Sequence, residues 1–411
     1  MSDRAEKRRS LLRGNIGVMI LTSGLWNLAG SMTGPFFPLY VLELGGNYVD
    51  IGLISALRAI VGILPSFLGG YLADAVGRKK MLYSMSFLLS INQLLYAIAP
   101  HYTFLFIVVT LDALWEGIRS PSFGALIADS TKPRSRALAY AIWQITPSLF
   151  GLFSPYVIGV LMDSYGILVA LRWAYLAVFT TSFIASFLRY KLLEETLPTQ
   201  DKKKTSASTA VRETLSDFRA TFKSTPRQIW IIFGLGYISS FAGSLCGSYF
   251  VTYAKNNIGL TMAEWGLIST LLTAVNIAVR LPAAWSSDRY GRLRFLLPSL
   301  FLVPVTFFLF VRCENFFQVT MVRTAMMILD SVQGPSREAL FIDFSPREHR
   351  GRINAIAHIS MAPIGFTASI IGGALYQGVS TETPFHVSSA LLLVGATYAL
   401  LTFKEPKKRE E

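Results

Sequence analysis

The chain alternates between long apolar blocks and shorter polar segments. We distinguish twelve blocks of roughly twenty residues or more, the length at which a helix rising 1.5 Å per residue crosses about 30 Å of hydrocarbon. They run approximately over 14–40, 48–73, 81–99, 102–128, 137–163, 168–189, 227–256, 262–287, 293–312, 316–343, 351–376 and 384–403. The blocks are continuously apolar, whereas the strands of a membrane barrel alternate between apolar and polar side chains. The pattern therefore excludes a barrel. The pattern predicts an all-α membrane protein with twelve transmembrane helices.

A polar stretch separates the blocks into two groups of six. Residues 190–226 predict a cytoplasmic linker between a first bundle at 14–189 and a second at 227–403. Apolar side chains at helical spacing predict a short amphipathic helix within the linker: Val211, Leu215, Phe218 and Phe222. Residues 1–13 and 404–411 are predicted to be cytoplasmic tails.

Composition and charge agree with a membrane location. Apolar residues make up 52% of the chain and charged residues 15%, well below the roughly 25% typical of soluble domains. Of the 38 Lys and Arg residues, 30 fall in the two tails, in residues 189–227 around the linker, and in alternate loops with the helix ends beside them at 74–80, 129–136, 288–294 and 347–352. The positive-inside rule therefore places both termini in the cytoplasm and accounts for the net charge of +13 without a nucleic-acid partner.

An internal repeat relates the two halves. Adding 214 to a position in the first half often returns the same residue, and no gap is needed from about 52 to 161. Gly52–Ser55 recurs as Gly266–Ser269, and Pro121-Ser122 recurs as Pro335-Ser336. The repeat predicts two pseudo-symmetric six-helix bundles that arose by duplication.

The most similar segments of the repeat are polar loops. The first copy reads Gly70-Tyr71-Leu72-Ala73-Asp74-Ala75-Val76-Gly77-Arg78-Lys79-Lys80, and the second reads Ala284-Trp285-Ser286-Ser287-Asp288-Arg289-Tyr290-Gly291-Arg292. Each is followed by a matched acid and base, Asp129 with Arg136 and Asp343 with Arg350. These segments resemble the signature loops of the major facilitator superfamily. The resemblance to that family covers nearly the whole chain.

The resemblance implies a role for these residues. In this family the loop carboxylates and arginines form a cytoplasmic latch that holds one conformation and opens in the other. The residues carried over are Gly70, Asp74, Gly77, Arg78, Asp129, Arg136, Asp288, Gly291, Arg292, Asp343 and Arg350. Gly70 is predicted to permit close helix approach and Gly77 a tight turn. The alternative is that the loops only set the topology.

Glycine and proline patterns also resemble the twelve-helix drug:proton antiporter branch of that family. They are Gly34-Pro35, Pro38-Leu39-Tyr40 and the segment Gly151–Gly159. Ser154 and Ile158 stand where the branch has glycine. The branch usually has an arginine in its fourth helix, where this chain has Glu116 in the first half and Asp330 at the equivalent position of the second half. These departures put the antiporter mechanism in question.

Ionisable residues lie inside the apolar blocks. Asp112, Glu116 and Arg119 recur at helical spacing in the fourth block, and the repeat superposes Glu116 on Asp330 in the tenth. Such groups must face a partner or a wet cavity, because insertion of each costs at least about 2.5 kcal/mol. Two carboxylates one turn apart repel, so we expect one to hold a proton while Arg119 neutralises the other. These four residues are our candidates for proton coupling or for binding a charged group of the substrate. The alternative is a static ion pair that holds helices together.

Several further side chains are candidates to line a cavity, with simple core packing as the alternative. They are Trp26, Asn27, Trp115, Tyr237, Phe241 and Gln333.

The sequence contains no phosphate-binding loop, zinc-protease motif or nucleophile elbow, so we expect neither an enzyme nor a nucleotide-driven pump. We expect no cofactor and no metal. The leading hypothesis is proton-coupled efflux of small amphipathic, drug-like compounds by a monomer in the cell membrane. Its partners would be a small-molecule substrate, protons and the lipid bilayer. Uptake symport of a small metabolite and a transporter-like sensor without flux remain alternatives.

Overall fold

The computed structural model describes residues 14–131, 136–197, 225–345 and 350–403. Within these ranges every regular element is helical, which confirms the all-α prediction. Both predicted tails, and residues 198–224 with the predicted amphipathic helix, lie outside them. Packing contacts divide the described residues into two units, unit 1 lying within 1–46 and 61–213 and unit 2 lying within 47–60 and 214–411.

The helices follow the apolar blocks. In chain order they are α1 (Asn15–Thr33), α2 (Phe37–Glu43), α3 (Tyr48–Val61), α4 (Ile63–Val76), α5 (Arg78–Ala97), α6 (Tyr102–Asp129), α7 (Arg136–Phe150), α8 (Ser154–Tyr165), α9 (Ile167–Leu192), α10 (Arg227–Cys246), α11 (Phe250–Tyr253), α12 (Met262–Tyr290), α13 (Arg292–Phe310), α14 (Phe316–Phe344), α15 (Arg350–Gly378) and α16 (Thr383–Thr402). Short 3₁₀ turns at Gly34–Phe36 and Gly247–Tyr249 join α1 to α2 and α10 to α11.

Nine helical segments of the described ranges are long and apolar enough to cross a membrane. Predicted blocks that do not meet this criterion correspond to α5, α6 and α14. Charged side chains lower the mean hydropathy of α6 and α14, and these same charges make both helices candidates for function. The count of twelve crossings and the orientation of the termini stay predictions.

Helix α3 packs within unit 2, although the sequence placed it in the first bundle. The Tyr249 hydroxyl donates to the Tyr48 carbonyl oxygen at 3.1 Å. The Tyr376 ring lies 4.7 Å from each of the rings of Tyr48 and Tyr249, centroid to centroid. The predicted bundle boundaries at 14–189 and 227–403 stay predictions.

Small and hydroxyl side chains bring α9 against α5 in unit 1. The hydroxyls of Ser90 and Ser186 lie 3.2 Å apart, and both side chains are fully buried. Small residues favour close helix packing in lipid, where burial of apolar surface supplies little driving force. This contact holds the end of α9 near Arg189 against α5.

Helices α4 and α6 approach each other at a glycine. A Cβ added to Gly69 would lie 2.7 Å from the Cα of Ile118, too close for any side chain. A Cβ added to Gly70 would meet no other described atom within 4 Å. The prediction that Gly70 permits the close approach is therefore wrong, because the residue facing α6 is its neighbour Gly69.

Candidate functional site

The first signature loop forms an ion-pair cluster in unit 1. Arg78 pairs with Asp129 and lies 3.7 Å from the Asp74 carboxylate. Gly77 has φ of 114°, a backbone conformation that favours glycine, so the predicted turn is present. Glu195, which no sequence motif pointed to, accepts from the backbone N–H groups of Arg78 and Lys79 at 3.1 and 3.2 Å. Glu195 thus stabilises the N-terminus of α5.

The second signature loop forms a more buried pair in unit 2. Arg292 pairs with Asp343 and donates to the Ala339 carbonyl oxygen at 2.7 Å. The two charged side chains are 10% and 2% exposed. Gly291 has φ of 111°, like its counterpart in unit 1. The side chains of Asp288, Arg136 and Arg350 lie outside the described part of the structure.

Unit 1 encloses a cavity of about 510 Å³ among α1, α6, α7 and α9. Its lining includes four predicted site residues and two that the sequence analysis did not select. These are Trp26, Asn27, Glu116 and Arg119, with Phe123 and Arg189. The structure thus places predicted charged and aromatic candidates around one space.

Glu116 and Arg119 form an ion pair in this cavity. Arg119 Nη2 lies 2.5 Å from Glu116 Oε2, and the glutamate side chain is 49% exposed while the arginine is 10% exposed. The Arg119 guanidinium also lies over the rings of Trp26 and Phe123, at 4.8 and 5.3 Å from their centroids. The carboxylate is therefore accessible from the cavity, whereas its partner is held by aromatic packing.

Arg189 is a second guanidinium at the same place. It is 1% exposed, its Nε donates to Thr22 Oγ1 at 3.0 Å, and its Nη1 donates to Ser86 Oγ at 2.7 Å. Its Cζ lies 4.8 Å from the centroid of the Phe123 ring.

Arg189 stands last in the predicted sixth block and was counted with the basic residues of 189–227, whereas α9 continues to Leu192 and buries the Arg189 side chain. The spacing of small residues with Arg189 could have revealed its inward face: Ser182, Ala185 and Ser186.

Asp112 occupies a different environment from Glu116. Its Oδ1 lies 3.4 Å from Asn92 Nδ2 and 3.5 Å from Gln93 Nε2, both on α5. Asp112 does not line the unit 1 cavity. The helical spacing correctly predicted that Glu116 and Arg119 lie side by side. It could not predict that amide groups on α5 would donate to Asp112.

Unit 2 encloses a second cavity, of about 500 Å³, whose lining comes in large part from α10 and α14. The lining includes the predicted residues Asp330 and Gln333, together with Arg323, Met326 and Arg337. Glu116 and Asp330, superposed by the repeat, therefore each line a cavity of their own unit.

The remaining cavity candidates lie elsewhere. The Tyr237 hydroxyl is 2.8 Å from Ser360 Oγ, and its ring packs on Phe233 in a buried cluster. Trp115 and Phe241 are half-buried and line neither of the two cavities. For these three aromatic residues, helical spacing alone did not separate packing from cavity lining.

Known proteins resemble this chain over most of its length. The family model described as Major Facilitator Superfamily matches residues 19–261 and again 233–411. The multidrug resistance protein MdtG of Salmonella arizonae is 26% identical over 402 residues, covering 94% of each chain. The quinolone resistance protein NorA of Staphylococcus aureus is 20% identical over 375 residues, covering 89% of this chain and 91% of its own.

Solved structures show the same fold. A peptide transporter POT in complex with alafosfalin aligns with a TM-score of 0.73 at 16% identity, covering 95% of both chains. The inward open xylose transporter XylE from E. coli aligns with a TM-score of 0.70 at 14% identity, covering 95% of this chain and 96% of its own. The chain is a multi-pass protein of the plasma membrane and belongs to the major facilitator superfamily of transporters.

Proposed function

We propose that this protein exports small amphipathic, drug-like compounds in exchange for protons. Glu116 and Asp330 would exchange protons or bind cationic substrate groups, and Arg119 and Arg189 would act as counter-ions to Glu116. Asp112 would support α6 through the amides of α5.

One observation carries the proposal. The two carboxylates that the internal repeat superposes each line a cavity of about 500 Å³ within their own unit. Ionisable residues inside membrane segments are costly, and they commonly mark ion or substrate pathways. The size of each cavity suits a drug-sized molecule. The resistance proteins that resemble the chain favour export over uptake.

The Glu116–Arg119 pair offers a mechanism for coupling. The ionised glutamate, which lines the cavity, would bind a cationic group of the substrate, and its protonation would remove the charge and release that group. Deprotonation would restore the carboxylate beside the Arg119 guanidinium, which aromatic rings hold in place. Binding of a proton and binding of substrate would thus compete for the same carboxylate, as exchange transport requires.

The test begins in an efflux-deficient bacterial host that expresses the full chain. Exposure to a drug panel should reveal compounds whose intracellular accumulation falls relative to the empty vector. The same compounds are then assayed in proteoliposomes under an imposed pH gradient. Glu116→Gln and Asp330→Asn should lose the response to the gradient, since neither amide can release a proton at neutral pH.

The control variant is Glu314→Gln, which changes an exposed carboxylate in the loop between α13 and α14. It should leave both accumulation and pH response unchanged. Unaltered coupling in both Glu116→Gln and Asp330→Asn would refute the role of the carboxylates. Raised accumulation would indicate uptake symport, and absence of counterflow for every compound would favour a sensor without flux.

A further inference from the structure

Arg323 has an environment unlike that of the other cavity residues in unit 2. Its guanidinium Cζ lies 4.1 Å from the centroid of the Phe250 ring and 5.7 Å from that of Trp265. Its Nη1 lies 3.8 Å from the sulfur of Met326. Phe250, Trp265 and Met326 are 8%, 4% and 8% exposed. Two rings and a thioether therefore form an apolar wall behind a permanent positive charge.

The guanidinium has one donor nitrogen that the described residues leave unused. Its Nε is inaccessible and has no hydrogen-bond partner among the described residues. No described carboxylate lies within 4 Å of Arg323, whereas Arg119 and Arg292 each pair with one. Asp330, the carboxylate of this cavity, lies seven residues further along α14, about 10 Å along a helix axis.

The repeat shows that this charge is specific to unit 2. A shift of 214 positions superposes Arg323 on Val109, an apolar residue that is 1% exposed. The arginine accompanies a cavity whose charged lining, among the described residues, consists of Arg323, Arg337 and Asp330, an excess of one positive charge.

We propose that Arg323 binds the anionic group of an amphipathic substrate, a carboxylate or sulfonate, in the unit 2 cavity. A guanidinium presents its donors in a planar fork that matches such groups. The apolar part of the substrate would contact Phe307, Met327 and Leu272 on the cavity wall. This inference names a substrate class and rests on the proposed transport of amphipathic compounds.

The test uses two probes of the same shape, the anion naphthalene-2-sulfonate and the neutral naphthalene-2-sulfonamide. Binding to the purified full chain in detergent is measured by thermal-shift titration of the wild type and of variants. The wild type should prefer the sulfonate. Arg323→Gln should weaken binding of the sulfonate by about tenfold or more, the size expected for a charge-assisted hydrogen bond, and leave the sulfonamide within about twofold.

Two further variants make the result specific. Arg312→Gln removes an exposed arginine whose Cζ also lies over a phenylalanine, 5.0 Å from the Phe308 ring centroid, but which does not line the cavity. This variant should change neither the affinity for the sulfonate nor the affinity for the sulfonamide. Arg323→Lys keeps the charge without the fork and should weaken the sulfonate by about threefold, a readout that stands even if the glutamine variant does not fold.

Each contrary outcome has a definite meaning. A wild type without preference for the sulfonate, or one that binds neither probe, overturns the proposal. Equal losses for both probes in Arg323→Gln would show that the arginine only supports the fold, and unchanged sulfonate affinity in Arg323→Lys and Arg323→Gln overturns the anion site. Unaltered proton coupling in both Glu116→Gln and Asp330→Asn, with intact sulfonate preference in the wild type, would refute the proposed function and leave the anion site standing.

Discussion

Adjacent glycines on α4 provide a sharp test of how closely it packs against α6. Gly69 is buried, and an added Cβ would lie 2.7 Å from the Cα of Ile118. Gly70 is only partly buried, and an added Cβ would meet no described atom within 4 Å. Substituting alanine at each position therefore adds the same methyl group to the same helix with different surroundings.

The expected effects have opposite signs. Both alanine substitutions add up to about 1 kcal/mol to the free energy of unfolding, because glycine is a poor helix former. At Gly69 the new methyl group meets backbone atoms, which cannot rotate away, so the upper part of the 1–3 kcal/mol range for overpacking applies. We expect Gly69→Ala to lose about 2 kcal/mol of stability and Gly70→Ala to gain about 0.5–1 kcal/mol.

The assay is thermal unfolding of the purified variants in one detergent at one scan rate. In a chain of this size each kcal/mol shifts the melting temperature by about 2 °C, so the two variants should differ by roughly 5 °C. Equal melting temperatures, or a loss confined to Gly70→Ala, would refute the assignment of the close approach to Gly69. Gly70→Ala also serves as the control for expression and for helix propensity.

Two further predictions concern buried charges. Asp343→Asn should destabilise the protein by roughly 3 kcal/mol, because it leaves Arg292 buried without its carboxylate. The matched variant Asp74→Asn removes a carboxylate that is 39% exposed and should cost less than about 1 kcal/mol. Equal shifts in melting temperature for Asp343→Asn and Asp74→Asn would contradict the difference in burial. Thr22→Val should cost about 1–3 kcal/mol, because it removes the acceptor of the buried Arg189 Nε. If Arg189 instead lay in a solvated loop, melting curves of this variant would match the wild type.

The two cavities show how the repeat guided prediction to part of the site. Glu116 and Asp330 were selected because a charge within an apolar block is costly, and the shift of 214 positions superposed them. Both line cavities of their units. Arg189 and Arg323 escaped selection for different reasons. Arg189 stands near the end of its block among other basic residues, and Arg323 has no charged counterpart in the first half.

Sequence patterns were enough to predict the all-α membrane fold, the two related halves and the signature-loop turns at Gly77 and Gly291. These features depend on local properties, namely the length of apolar runs, the repeat and the backbone freedom of glycine. Which charges meet depends on how the helices pack. Arg189 reaches the cavity of Glu116 because α9 packs on α1 and α5, and Arg323 gains its aromatic wall from α11 and α12. Contacts between distant segments depend on helix rotation and packing, which spacing along one helix does not specify.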